Sequence, residues 1–156
     1  MKKKPKILIW ILAAVVLIAA AFAIWWFLPT HFLNGVSPEE ISAVEVFNGN
    51  DGNRFAVTEP EDISVLVESI QRVPMKKDSI AMGMGTTYNL RFLDAKGKEI
   101  DKFIIMDSNT VRSGLVFYEC DGQLKQAEDH LIALEKAQFP DTQWVKDQNT
   151  NETEGA

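Results

Sequence analysis

From Ile7 to Leu28 the chain runs through 22 uncharged, overwhelmingly apolar residues without a break. At ~1.5 Å per residue, that run makes a helix about 33 Å long, enough to cross a hydrocarbon core of about 30 Å. A lone strand or loop could not make the same crossing, because its amide groups would have no partners in lipid. Trp10 lies near one end, and Trp25 and Trp26 near the other. Indole rings prefer the headgroup zone, so both ends look anchored. Ile7, Trp10, Trp25, Trp26 and Leu28 are therefore read as the membrane anchor, and Pro29 as its stop.

Charge sets the expected orientation. Lys2, Lys3, Lys4 and Lys6 precede the apolar run, and no Lys or Arg follows it until Arg54. The positive-inside bias places the N-terminus in the cytoplasm and the main domain outside, as a single-pass protein of the cell membrane. The competing reading is a cleaved signal peptide, because Ala21-Phe22-Ala23 has the small-x-small form of a cleavage site. Against it, the apolar run exceeds the usual ~7–15 residues. Cleavage would also leave Ile-Trp-Trp-Phe-Leu as an adhesive new terminus.

The 156 residues carry a net charge of −6, but the first 28 hold four Lys and no acid. The other 128 therefore carry 12 basic and 22 acidic groups, a net of −10. Such a domain is a poor match for nucleic acid, whose phosphates dominate binding. It is equally poor for tight adsorption to an anionic lipid surface. One cysteine cannot form an internal disulfide.

The expected layout is a basic tail at 1–6, the spanning helix at 7–28 and a linker at 29–36. An extracytoplasmic domain follows at 37–139, with a polar, disordered tail at 140–156. Phe32 and Leu33 of the linker are expected in the headgroup region. Ser37-Pro38-Glu39-Glu40 looks like a capped turn. Ile41 to Phe47 and Arg54 to Thr58 read as strands around Asp51-Gly52, a hairpin signal. Thr58-Glu-Pro-Glu61 fits a capping box. Ile63, Leu66, Val67 and Ile70 then form one apolar helical stripe, and Pro74 bounds the helix.

Val73 to Lys77 is expected as an edge strand guarded by lysines, and Ser79 to Gly85 as a loop. Thr86 to Leu93 and Lys98 to Met106 read as a hairpin, and Thr110 to Cys120 as one or two strands around Gly114. A last helix, Gln123 to Ala137, has Leu124, Ala127, Leu131 and Leu134 as its stripe. The expected class is α+β: a transmembrane helix, then one small antiparallel sheet with two amphipathic helices packed on it.

Four features resemble small membrane-anchored extracytoplasmic domains of Gram-positive bacteria. They are Ile41-x-x-Val44-x-Val46, the Asn48-Gly-Asn-Asp-Gly52 turn, Glu59-Pro-Glu-Asp-Ile63 opening a helix, and Tyr88-x-Leu-x-Phe92 with Asp94-x-x-Gly97. The resemblance covers Ile41 to Leu134. It implies a cell-envelope setting and supplies no catalytic residues.

Groups able to do chemistry are few. Cys120 is the only thiol, and His31 and His130 are the only imidazoles. A thiol nucleophile would need His130 beside Cys120, with Asp129 or Glu119 orienting the ring. The bland reading has Cys120 as a small core residue, His130 on a helix surface and His31 at the membrane interface. No Gly-x-Ser-x-Gly elbow or supported Ser-x-x-Lys motif occurs.

Asn48, Asn50, Asp51 and Glu59 have part of the spacing of a calcium loop, but Gly52 sits where a ligand belongs. Gly83-Met84-Gly85 lacks the remaining residues of a phosphate cradle. The carboxylate clusters Glu59/Glu61/Asp62 and Glu128/Asp129 read as solvated helix faces. The expectation is therefore a non-catalytic module without cofactor or metal. Its partners would be the bilayer and another envelope protein or small ligand. A small envelope enzyme using Cys120 and His130, or a sensor or regulatory subunit of a membrane complex, are the alternatives.

Overall fold

The computed structural model describes residues 4–81 and 87–140. Lys2, Lys3, most of the expected loop Ser79 to Gly85 and the expected tail beyond Pro140 lie outside the described residues. The chain starts with α1 (Lys4–Phe27). Pro5 is tolerated there, because the first helical turn has amides without partners in any case. None of the stretch Ile7–Phe27, with mean hydropathy 3.1, is buried inside the protein. It is long and apolar enough to cross a membrane.

A short 3-10 turn (Pro38–Glu40) follows, and the Ser37 amide donates to the Glu40 carboxylate at 3.0 Å. Then come β1 (Ala43–Asn48), β2 (Arg54–Val57), α2 (Pro60–Gln71), β3 (Lys76–Ile80), β4 (Tyr88–Leu93), β5 (Glu99–Ile105), β6 (Thr110–Ser113), β7 (Val116–Glu119) and α3 (Lys125–Gln138). All seven strands form one antiparallel sheet in the order β2-β1-β4-β5-β6-β7-β3. The α+β class is as expected. Gly52, at φ +84°, and Gly114, at φ +58°, turn the β1–β2 and β6–β7 hairpins where a side chain would be strained.

Alternation decides which face of the sheet is covered. Val44, Val46, Phe55, Val57, Tyr88, Leu90, Phe92, Phe103 and Ile105 point to the buried side. Ile63, Leu66, Val67 and Ile70 of α2, Ala127 and Leu131 of α3, and Leu124 at the N-cap of α3 lie over them in a single core. The capping box expected at Thr58 and Glu61 is not formed. The cap position is Glu59, with no side-chain cap bond, so α2 opens one residue later than a Thr58 cap requires.

The expected linker behaves differently from a tether. Phe32 and Leu33 are buried in the core and not in the headgroup zone, and Phe32 lies 4.8 Å from the Phe103 ring and 5.1 Å from that of Tyr118. Thr30 and Met75 exchange backbone hydrogen bonds of 2.7 and 2.8 Å. Gln71 Nε2 donates to the Leu33 and Val36 carbonyls at 2.7 and 2.6 Å. Leu33, at φ +56°, takes the turn that directs the chain from α1 into the domain. Domain structure thus begins within two or three residues of the apolar helix.

β3 is an edge strand, as the lysines of Val73 to Lys77 imply, but it runs later, from Lys76 to Ile80. It occupies the edge farthest from β2. The segment between β2 and β3, which contains α2, therefore crosses the whole width of the sheet.

Candidate functional site

The junction of α1 with β3 is the first place where sequence features combine into a device. Lys77 sits on β3 with its amine 4.6 Å above the Trp25 ring. The same amine donates to the Trp25 carbonyl at 2.9 Å, the Leu28 carbonyl at 3.5 Å and Thr30 Oγ1 at 3.3 Å. The last carbonyls of a helix have no partner within it, and a cation there also meets the negative end of the helix dipole. α1 itself has no basic residue in its last turn, so a lysine 52 residues away from Trp25 in sequence takes that role. Phe22 joins Trp25 and Trp26 in an aromatic cluster, its ring 5.7 Å from Trp25 and 6.1 Å from Trp26. Trp25, read from sequence as an anchor, is thus also a contact to the domain, as is the Leu28 carbonyl, while the Ile7, Trp10 and Leu28 side chains are exposed.

A second arrangement lies at the opposite end of the sheet. Glu135 of α3 is fully buried. Asn48 Nδ2 donates to both of its oxygens, at 3.0 and 2.9 Å. Asn53 Nδ2 donates at 2.9 Å, and the Tyr88 hydroxyl at 2.6 Å. The Asn48 amide is oriented by its own turn, because Asn48 Oδ1 accepts the Asn50 N–H at 2.9 Å. Its Nδ2 therefore faces the carboxylate. Among the described residues no Lys, Arg or His forms an ion pair with Glu135.

The surroundings feel this carboxylate. Burial first, and then the bond to Glu135, drive the Tyr88 hydroxyl far above the usual phenol range. Asp51 is raised by burial first, with the Glu135 charge and hydrogen bond adding to it. The Asp51 side chain accepts the Asn53 N–H at 2.9 Å and serves the turn. Asn48, Asn50 and Asp51 are thereby engaged in hairpin and core bonding, and Glu59 stands at the start of α2. Among the described residues no three His, Cys, Asp or Glu side chains cluster as metal ligands.

The raised Asp51 has a definite sign in the stability balance. A carboxyl whose folded pKa exceeds its unfolded value favours folding in its protonated form, so the fold loses stability as pH rises from 3.8 through the folded value. Asp51→Asn is expected to raise the urea midpoint at about pH 7. The gain should fade as pH falls toward 3.8, where the wild-type carboxyl is itself neutral. Urea titrations of both proteins across that range check the sign.

Glu135 is the residue that sequence reasoning missed. Periodicity puts the apolar stripe of α3 at Leu124, Ala127, Leu131 and Leu134. The buried face instead runs Leu124, Ala127, Leu131, Glu135, with Leu134 half-buried beside it. A glutamate at the i+4 position from Leu131 was the available signal, together with an asparagine-rich turn holding surplus amide donors.

Cys120 and His130 meet different partners. Cys120 is buried, and its Sγ donates to the Ser108 carbonyl at 3.5 Å. Burial, and then the charges of Asp107, Asp121 and Glu119, push its thiol up to about 12. His130 Nε2 lies 3.1 Å from Asp62 Oδ1 on α2 without forming a hydrogen bond to it. His31 Nδ1 is 3.2 Å from the Gln71 carbonyl. The thiolate is the reactive form of cysteine. Cys120 of the folded chain in detergent should therefore resist iodoacetamide at about pH 8 and react once urea unfolds it. Mass spectrometry of quenched samples reads the difference.

No protein-family model, no curated protein and no solved structure matches this chain. Its functional reading therefore rests on its own residues.

Proposed function

We propose that this protein is a single-pass, membrane-anchored interaction module of the cell envelope, non-catalytic, with its N-terminus in the cytoplasm and its α+β domain outside. The observation that carries the reading is the direct coupling of α1, with its exposed 21-residue apolar stretch Ile7–Phe27, to the edge strand of a folded sheet. The four N-terminal lysines supply the orientation through the positive-inside bias. The domain's partner is another envelope protein or a small ligand, and the bacterial envelope is the setting that the resemblance in strand and turn pattern implies.

Four linked measurements test it. Intact mass of protein purified from membranes should include residues 1–28; loss of the segment up to Ala23 would convert the anchor into a signal peptide. An impermeant protease added to whole cells should digest the domain and spare a cytoplasmic control. Affinity capture through the C-terminal end should recover a membrane partner, and the purified protein should turn over no substrate. Catalysis dependent on Cys120 and His130 would overturn the non-catalytic part alone.

A regulatory role has one specific observation in its favour. The amine of Lys77, the Thr30–Met75 pair and buried Phe32 leave no free hinge between helix and sheet. Helix tilt would then be transmitted to β3. Replacing Ile7 to Leu28 with an unrelated spanning helix should preserve partner capture in a pure tether and impair it in a sensor.

A further inference from the structure

We propose that the edge formed by Ile80 and Leu115 is a second membrane contact, seated at the headgroup–acyl boundary of the leaflet from which α1 emerges. The inference rests on α1 being a membrane span. Outside the apolar run, Ile80 and Leu115 are the only large apolar side chains that stand exposed among the described residues, at 60% and 72%. They are neighbours: Ile80 pairs with Val116, and the Ala81 N–H donates to the Leu115 carbonyl at 2.8 Å.

Strand direction sets their height. Met75 pairs with Thr30, Lys77 reaches Trp25 and Leu28, and Ile80 shares a surface groove with Phe22, Ala23, Trp26 and Phe27. As β3 advances, its neighbours move back down α1. β3 therefore runs antiparallel to the helix, toward the bilayer, and brings Ile80 level with the indole of Trp26. Indole rings mark the interface, so Ile80 and Leu115 arrive there with them. A lipid surface is favoured over a protein partner because Ile80 joins the patch to Phe22, Ala23, Trp26 and Phe27 of α1. The contact is apolar, so the net acidity of the domain does not oppose it on neutral lipid.

The test uses the full chain in phosphatidylcholine vesicles, with one added cysteine at Val16, Leu115 or Asn50 carrying an environment-sensitive fluorophore. Buried Cys120 stays unlabelled and reports that each variant is folded. Asn50 is the control because the β1–β2 turn lies at the opposite end of the sheet from the β6–β7 turn. Nitroxides on the lipid chains should quench Leu115→Cys several-fold more than Asn50→Cys, with a blue-shifted emission.

Equal, weak quenching at Leu115 and Asn50 with strong quenching at Val16 would overturn the second contact and leave the anchor standing. Weak quenching at Val16 as well would remove both. Leu115 quenching that falls as protein-to-lipid ratio rises, with energy transfer between labels appearing, would assign the patch to a second copy and also overturn the proposal.

Discussion

Glu135→Ala is expected to lower the unfolding free energy by about 3 kcal/mol or more, because several neutral donors lose one acceptor at once. Three donors would lose the acceptor they share: Asn48 Nδ2, Asn53 Nδ2 and the Tyr88 hydroxyl. A buried donor whose bond is not replaced costs about 1–3 kcal/mol. A domain of this size has about 5–15 kcal/mol in total, so the variant approaches the edge of folding. Glu135→Gln keeps the shape and one carbonyl oxygen, yet turns an NH2 toward donors, so an intermediate loss follows. The urea dependence of Cys120 alkylation in the full chain measures both. Tyr88→Phe should cost less in the Glu135→Leu background than in wild type. Additive losses would mean that the 2.6 Å contact does not couple the two residues energetically.

Phe32→Ala is expected to cost about 3–5 kcal/mol, as for other buried phenylalanines. A residue four positions beyond the apolar run would be neutral to substitution in a flexible tether. Here the ring fills the core against Phe103 and Tyr118, and its removal leaves a cavity under the sheet. The backbone pair of Thr30 with Met75 should loosen with it, which faster hydrogen exchange at the Met75 amide would show. A change below about 0.5 kcal/mol, the level of ordinary surface substitutions, would restore the picture of a passive linker.

These two residues also show what is hard to read. The α2 stripe of Ile63, Leu66, Val67 and Ile70 is visible in the sequence because four apolar residues on one helical face leave water only when that face is buried. Phe32 is ambiguous, because an apolar residue beside a span fits both a lipid interface and a protein core. Glu135 is hidden by a general rule that usually serves well, that glutamate lies outside. The rule fails where enough neutral donors converge, and those donors belong to Asn48, Asn53 and Tyr88, 87, 82 and 47 positions away. Thr58 and Glu61 match a capping pattern by spacing alone, which says nothing of the backbone angles that a cap requires.

By itself the amino-acid sequence determined the long apolar helix, because an unbroken uncharged run of that length favours a single helix long enough to cross a membrane. It also determined the amphipathic elements and the turns at Gly52 and Gly114, where periodicity and a positive φ are local demands. Only the tertiary structure decided that β3 closes the far edge beside β7, that Lys77 meets the end of α1, that Phe32 enters the core, and that Glu135 is held by three amide and hydroxyl donors. The physical reason is range: local spacing states which face an element hides, while the partner that hides it is chosen by packing among residues tens of positions apart.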